Sequence, residues 1–338
     1  MRLTLGLLLS SVLVTGLVSC TGSDGPGPRP EPSGTPTVPA RLQVDEPEPV
    51  RNPRQALVFV PESAETVTIT SFDRIRARFG VPDLTSDDLM TDRLAFWERF
   101  DRESVALTGG LLRDRHSTYW LDHGFTQDDV DWEARWTGPD GAGYVVAFRP
   151  GLDMGKVRGA LEEKELEGAE LLGPQRLLVK GAPDEGGPVW ATDADLVALT
   201  DPDAESTYLH QGCIPLQTAL GPDATYEDQE AVLERQAPDE LLPLEAFSIG
   251  FNDQTATARI GRDRYDALDR QALIDDWPVT GTIGLDDAFT GMPVADPGTG
   301  RIGLRIANPH AAAVVTMTEM LPFAICNEVQ PFEEPSGL

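Results

Sequence analysis

The clearest alternation of apolar and polar residues along this chain runs from Val130 to Trp136. Side chains of a strand point to opposite faces in turn, so this period of two predicts a half-buried strand. A glycine-rich turn over 138–143 and an apolar run over 144–148 follow, which predicts a hairpin. A second hairpin is predicted over 247–260. Other apolar or β-branched runs predict further strands at 56–60, 66–70, 176–179, 190–199 and 302–306.

A spacing of three to four residues between apolar positions predicts the helices. In the segment 87–101, four apolar residues fall at i, i+4, i+7 and i+10, which predicts one buried helix face. They are Met90, Leu94, Trp97 and Phe100. A helix over 263–276 is predicted to turn Tyr265, Leu268 and Ala272 inward. Further helices are predicted at 71–79, just before Gly124, near 154–161, and at 311–320 after the N-cap pair Asn308-Pro309.

A hairpin followed by a helix occurs twice along the chain, first at 130–161 and again at 247–276. We therefore predict an α+β fold of two related halves, each an antiparallel sheet with helices packed on one face. The first half is expected to span 55–205 and the second half 206–338. This prediction rests on the order of the elements and not on matching residues.

The first residues indicate export from the cytoplasm. A short apolar run over 3–18 follows Arg2, the pattern of a signal peptide, and is shorter than the about 20 residues that span a membrane. It ends in Leu17-Val18-Ser19-Cys20, which resembles the lipobox of bacterial lipoproteins at every position. The resemblance implies cleavage after residue 19 and a lipid on Cys20, which would hold the protein at the outer face of the cytoplasmic membrane. A plain secretory signal is the alternative.

The segment 20–54 is rich in proline and has no apolar periodicity, so we predict a linker. Proline-rich chains favour extended conformations that rise about 3.1 Å per residue, which gives this linker a reach of roughly 100 Å. The folded part would therefore stand away from the lipid anchor.

The net charge of the chain indicates which class of partner it does not bind. It has 27 basic and 56 acidic residues, a net charge of −29, and such a field repels the phosphate backbone of nucleic acids. We therefore predict no nucleic-acid partner. Only three basic residues are lysine, and this skew, with abundant Ala, Gly, Asp and Pro, resembles actinobacterial proteins.

The cysteines fit an exported protein. With Cys20 assigned to the lipid, Cys213 and Cys326 remain, and an oxidising compartment favours a disulfide between them. The chain-entropy model gives an upper figure of about 4 to 5 kcal/mol for so long a loop. A catalytic thiol is the alternative, although neither cysteine lies in a sequence that resembles a nucleophile motif.

Motifs that would indicate catalysis or metal binding are absent or incomplete. The chain lacks Gly-x-Ser-x-Gly and Ser-x-x-Lys, and the segment 151–156 has one residue too few between its glycines for a phosphate-binding loop. His116 and His123 would meet at a metal only on a two-turn helix, and acidic runs such as 128–131 lack the spacing of a calcium loop. We predict no catalytic residue, no metal site and no cofactor.

Trp120, Trp132 and Trp136 are close in sequence and form a possible ligand groove, with core packing as the alternative. The lipobox, the linker and the lack of catalytic motifs favour a non-catalytic envelope lipoprotein that binds an envelope protein or a cell-wall component. A small-ligand or cation-binding module with a cleft between its halves is the second hypothesis. A hydrolase is the third.

Overall fold

The computed structural model describes residues 52–329, in which ten antiparallel strands form one continuous sheet. The strands are β1 (Thr66–Ser71), β2 (Val130–Gly138), β3 (Gly141–Phe148), β4 (Glu170–Leu172), β5 (Leu177–Lys180), β6 (Ser206–Gln211), β7 (Ala246–Asn252), β8 (Thr255–Arg259), β9 (Phe289–Asp296) and β10 (Arg301–Ile306). Their order across the sheet is β4-β5-β3-β2-β1-β6-β7-β8-β10-β9. The predicted signal peptide, Cys20 and the linker as far as residue 51 lie outside the described residues.

Helices connect the strands and cover them. They are α1 (Phe72–Arg78), α2 (Met90–Glu103), α3 (His116–Thr118), α4 (Met154–Gly159), α5 (Ala194–Leu199), α6 (Leu216–Leu220), α7 (Tyr226–Arg235), α8 (Ala267–Asp275), α9 (Leu285–Ala288) and α10 (Pro309–Met317). A π-helix, Tyr119–His123, continues α3. None of the helices within 52–329 has the length and apolar character needed to cross a membrane. The predicted α+β class with antiparallel strands is confirmed.

The same strand order occurs on both sides of the sheet centre. It is β1-β2-β3-β5-β4 on one side and β6-β7-β8-β10-β9 on the other. The two sets join where β1 pairs with β6, and Thr68 lies opposite Tyr208 at the middle of that register. Each set also contains a tight hairpin, because β2 joins β3, and β7 joins β8, through two residues. The sheet therefore runs unbroken from one half of the chain to the other.

The sheet has a helix face and a back face. On the helix face, one apolar core that includes Phe100 lies under the first half and another that includes Phe247 lies under the second half. A third core, on the back face, contains Trp132 and Trp190 of the first half and reaches Leu209 of β6 in the second half. Helix α5 contributes to this back-face core, whereas the sequence predicted helices on one face only.

Two segments predicted as strands are helical. Pro53–Val58 forms a 3₁₀ helix because the Asn52 side chain accepts a hydrogen bond from the Arg54 amide and Pro53 presets the first turn. Asp193 caps α5 in the same way, by accepting hydrogen bonds from two backbone amides. A short apolar run fits a strand or a helix equally well, so the cap decides between them.

Two helices bury only part of the predicted face. In α2 the predicted Trp97 and Phe100 are buried but Met90 and Leu94 are about half exposed, and Leu268 of α8 and the preceding Tyr265 are also exposed. The buried faces are Arg93, Phe96, Trp97 and Phe100 in α2, and Ala267, Arg270, Leu273 and Ile274 in α8. Each buried face carries an arginine at a position that an apolar pattern does not predict.

The predicted disulfide between Cys213 and Cys326 is present and joins the start of the second half to its end. Beside it, Ile214 and Ile325 form an isolated parallel bridge. The buried guanidinium of Arg270 donates hydrogen bonds to the backbone carbonyls of Phe323 and Ile325, at 2.8 and 3.0 Å. The last described segment is therefore held by a covalent bond, a backbone bridge and a buried arginine.

The outer strands of the sheet carry features that weaken further pairing. One edge is β4, which has only three residues. The other edge is β9, whose register shifts at a bulge and which contains Pro293. A bulge bends the edge away from a neighbour, and proline removes a backbone donor.

Candidate functional site

The structure separates the three tryptophans that were predicted to line a groove. Trp132 and Trp136 are only 0% and 2% exposed and lie in the back-face core. The period of two in β2 places both on one face of the strand, and that face is covered by Pro53–Val58 and α5. Trp120 lies in the π-helix and is partly exposed. Its neighbours are residues of α2 rather than the other two tryptophans.

Exposed apolar side chains lie at the start of α2 and in the π-helix that contains Trp120. They are Leu89 (71% exposed), Met90 (51%), Leu94 (54%) and Leu121 (79%). The guanidinium of Arg93 lies over the Trp120 ring, with Cζ 5.4 Å from the ring centroid, so α2 and the π-helix meet here. We call these four residues and Trp120 the α2 patch. Single-turn π-helices are frequently found at functional sites.

A buried ion pair lies beneath the α2 patch. Asp128 is fully buried, and its Oδ2 accepts a hydrogen bond from Nε of Arg93 at 2.5 Å. The same oxygen lies 3.0 Å from Nε2 of His116 and accepts from the Thr126 hydroxyl at 2.9 Å. Oδ1 accepts from the Trp97 indole at 2.8 Å. One carboxylate therefore fixes the side chains on which α2 and α3 meet.

The surroundings of Asp128 define its protonation. Burial alone would raise the pKa of this carboxyl group, but hydrogen bonds and charges from His116 and Arg93 outweigh it and hold the pKa below the ordinary value of 3.8. The carboxylate is ionised at neutral pH. Nε2 of His116 lies 3.0 Å from this ionised oxygen and also contacts Nη2 of Arg93, so Asp128, His116 and Arg93 form one buried cluster.

The histidines are used in pairs with carboxylates. Nε2 of His123 lies 3.0 Å from Glu163, so His116 and His123 serve different acidic partners instead of converging on a metal. No group of three or more His, Cys, Asp or Glu side chains in 52–329 is placed to hold a metal ion. Within the same residues, no serine, threonine or cysteine side chain hydrogen-bonds to a histidine. The Asp128–His116 pair therefore has no adjacent nucleophile of the kind found in a catalytic triad.

A second polar cluster lies at the centre of the sheet. Oε1 of Glu319 accepts a hydrogen bond from the Tyr208 hydroxyl at 2.8 Å and lies 3.5 Å from Nε2 of His210. The His210 ring stacks on Phe247 with centroids 5.2 Å apart. Burial and the neighbouring Glu319 raise the pKa of Tyr208 well above its usual range, so the hydroxyl keeps its proton. This cluster connects the end of α10 to strand β6.

Sequence reasoning missed Asp128, Arg93 and Glu319. Asp128 lies in an acidic run that was considered for calcium, but its neighbour Asp129 is also used internally and accepts hydrogen bonds from the Thr126 and Ser86 amides. The signal that could have found Arg93 is its position one turn before Trp97 in an amphipathic helix. Glu319 follows the end of α10, and no sequence pattern around it indicates its contact with Tyr208.

The chain was compared with known proteins in three ways. No protein-family model, no curated protein and no solved structure matches it. No known activity is therefore transferred to the α2 patch or to the two polar clusters, and their own chemistry has to indicate what they do.

Proposed function

We propose that this chain is a non-catalytic, lipid-anchored envelope protein that binds another envelope protein through the α2 patch. The observation that carries this proposal is the exposure of four apolar side chains on two segments that meet where Arg93 lies over Trp120. Exposed apolar surface of this kind is typical of an interaction site. The ion pair between Arg93 and Asp128 holds the two segments of the patch together, so a partner would meet a preformed surface.

The border of the α2 patch indicates the chemistry of the partner. Asp87, Asp88 and Asp92 lie beside the apolar residues of α2, and Asp122 follows Leu121; all four are exposed. Apolar contacts at the centre and opposite charges at the rim are the usual arrangement of a protein interface. The complementary partner is a protein surface with apolar residues bordered by lysine or arginine.

The location of the protein is part of the same proposal. The lipobox resemblance supports a lipid on Cys20, and the proline-rich linker supports a position away from the membrane surface. The disulfide between Cys213 and Cys326 is of the kind that persists in an oxidising, extracytoplasmic compartment.

The docking surface is tested by capture of the partner from native envelopes. The full lipidated chain is cross-linked with carboxylate-reactive chemistry, because the protein has only three lysines for amine reagents. We expect the double variant Leu94→Ser/Leu121→Ser to recover about tenfold less of a partner that the unchanged protein captures, since two central apolar contacts are lost.

The matched control is Tyr265→Ser/Leu268→Ser, which removes two exposed apolar side chains at the start of α8 and just before it, in the other half. It should capture the partner as well as the unchanged protein does. Equal melting temperatures for the two variants would show that both are folded. If the patch variant retained the partner in full, docking through the α2 patch would be excluded.

A further inference from the structure

His116, beneath the α2 patch, lies between two groups that require opposite things of one nitrogen atom. Its Nε2 contacts Nη2 of Arg93 and also lies 3.0 Å from Oδ2 of Asp128. A guanidinium nitrogen only donates hydrogen bonds, so the first contact requires a lone pair on Nε2. An ionised carboxylate only accepts hydrogen bonds, so the second contact requires a proton on the same atom. His116 therefore hydrogen-bonds to one of these neighbours at a time.

The protonation state of His116 selects the neighbour. A neutral imidazole ring with its proton on Nδ1 has a free lone pair on Nε2, which accepts a hydrogen bond from Arg93. A charged ring has protons on both nitrogens and can only donate, so it turns to Asp128 and faces Arg93 as a second cation. The side chain of His116 is 21% exposed, so protons reach it from solvent, whereas Arg93 and Asp128 are buried.

The other two charges of the cluster stay constant near neutral pH. Burial alone would raise the pKa of Asp128, but hydrogen bonds and charges from His116 and Arg93 hold it below the ordinary value. The guanidinium group of an arginine stays charged throughout this range. Imidazole is the side chain whose charge changes between about pH 8 and pH 5. A change of pH near neutrality therefore acts on this cluster through His116.

The remaining charged groups near His116 have other partners or are exposed to solvent. Of the charged groups in 52–329, those within hydrogen-bonding distance of Nε2 are Arg93, from α2, and Asp128, from the turn before β2. The others are Arg113, which donates to Asp101; Arg115, which pairs with Glu163 and Glu165; Asp129, which accepts from two backbone amides; and the exposed Asp114.

Arg93 connects this cluster to the α2 patch. Its guanidinium lies over the Trp120 ring, where α2 meets the π-helix, with Cζ 5.4 Å from the ring centroid. The Arg93 side chain is only 3% exposed, so water screens a second positive charge beside it poorly and the repulsion is strong. Protonation of His116 therefore acts on the contact that holds the two segments of the patch together.

We propose that His116 makes the α2 patch sensitive to pH. The neutral ring joins α3 to α2 through Arg93 and keeps the patch assembled. The charged ring donates to Asp128 and displaces Arg93 from Trp120, so Trp120 and Leu121 move away from the apolar residues of α2. This inference rests on the proposed function for its consequence, which is that a partner bound near neutral pH is released at acidic pH. The movement itself is a property of the free protein and is measured without a partner.

The movement is tested by NMR on the full chain between about pH 8 and pH 5. The indole N–H signal of Trp120, identified by its loss in Trp120→Phe, should shift with pH along one titration curve together with the His116 ring. His116→Gln, whose side chain is neutral throughout, should abolish this shift. His123→Gln is the matched control, because it removes the other histidine of the same segment, and it should leave the shift in place. A Trp120 signal that does not move, or that moves equally in His116→Gln, would overturn the proposal.

Release of the partner is tested by capture from native envelopes at the same two pH values. The unchanged protein should recover about fivefold less partner at the acidic pH, a coupling at the lower end of those found between linked sites. His116→Gln should recover equal amounts at both, and it also corrects for any pH dependence of the cross-linking chemistry. His116→Lys carries a permanent charge and should recover little at either pH. Both variants are first checked for folding by their melting temperatures.

The two measurements separate this inference from the proposed function. A Trp120 signal that titrates with His116 supports the pH-sensitive movement even if no partner is captured, and the missing partner then counts against the proposed function alone. Equal recovery of a partner at both pH values, after correction by His116→Gln, would overturn the inference and leave docking through the α2 patch in place.

Discussion

Buried arginines occupy the inner faces of α1, α2 and α8 in this protein. Arg76, Arg93 and Arg270 are at most 2% exposed, and each donates to backbone carbonyl groups as well as to a carboxylate. A buried guanidinium requires such partners because an unpaired charge is costly to remove from water. At the scale of the residue, these arginines tie the backbone of neighbouring segments to the helices through hydrogen bonds.

The pair between Arg93 and Asp128 should make a large contribution to stability at neutral pH. Because the folded-state pKa of Asp128 is lowered, its contribution is present above the ordinary carboxyl pKa and is lost as the pH falls through the folded-state value. Asp128→Asn should lower the free energy of unfolding by about 3–5 kcal/mol at pH 7, because Arg93 is left buried without its counter-charge. Urea unfolding of both proteins at a series of pH values measures this difference.

The same pH series shows whether the loss of charge or the change of shape lowers the stability of Asp128→Asn. As the pH falls below the ordinary carboxyl pKa and through the lowered folded-state pKa of Asp128, the carboxyl group becomes neutral in the unchanged protein, so the stabilities of the two proteins should converge. Asp114→Asn, at an exposed carboxylate of the same region, is the control and should change stability by less than about 0.5 kcal/mol. A deficit for Asp128→Asn that stayed constant from pH 7 to pH 3 would mean that shape rather than charge is responsible.

At the scale of the element, the end of α10 is unusual. Glu319 has φ of +60° and lies in the left-handed position after the helix, where the Met320 amide bonds back to the Val315 carbonyl group. Glycine is the common residue at this position because it has no Cβ to clash. A glutamate here is explained by its side chain, which reaches the Tyr208 hydroxyl.

Substitution of Glu319 separates the backbone strain at this residue from the hydrogen bond that its side chain accepts from Tyr208. Glu319→Gly relieves about 1 kcal/mol of backbone strain but leaves the buried Tyr208 hydroxyl without an acceptor, which costs about 1–3 kcal/mol, so a small net loss of stability is expected. Glu319→Ala keeps the strain and should be less stable than Glu319→Gly by about 1 kcal/mol. Adding Tyr208→Phe to Glu319→Gly should bring stability back to that of the unchanged protein or above it. Chemical denaturation measures all four.

A Glu319→Gly variant more stable than the unchanged protein would show that the hydrogen bond to Tyr208 contributes less than the backbone strain costs. Tyr208→Phe removes the hydroxyl group that Glu319→Gly leaves without an acceptor. If it did not raise the stability of the Glu319→Gly variant, the unpaired hydroxyl group would cost no stability.

The elements differ in how well the sequence predicts them. The hairpins β2–β3 and β7–β8 follow from alternation because each strand buries one face. Short strands such as β4, and β6 with its polar and aromatic residues, have no such pattern and were missed. The faces of α2 and α8 were misplaced because Arg93 and Arg270 occupy inward positions, so the apolar residues no longer mark the buried side. Contacts between distant segments, such as those of Asp128, have no local signature at all.

At the scale of the whole molecule, anchoring is the property to test. If Cys20 carries the lipid, Cys20→Ala should move the protein from the membrane fraction to the soluble extracytoplasmic fraction, because a strongly acidic body has no electrostatic attraction to anionic lipid. Cell fractionation with mass measurement of the mature chain checks this. Cys213→Ser/Cys326→Ser is the control and should leave the protein in the membrane fraction.

An unchanged membrane fraction for Cys20→Ala would point to an uncleaved signal segment. The relation between the two halves stays a prediction at this scale, and the repeated strand order on the two sides of the β1–β6 pair is the observation that supports it.

The features at the two edges of the sheet matter most where many copies are held side by side. Proteins tethered to one surface reach high local concentrations, and a ten-stranded sheet with straight edges would recruit its neighbours strand by strand into fibrils. The three residues of β4 and the bulge and Pro293 of β9 disfavour such templating at both ends. We therefore expect copies of this protein to stay separate where they are crowded.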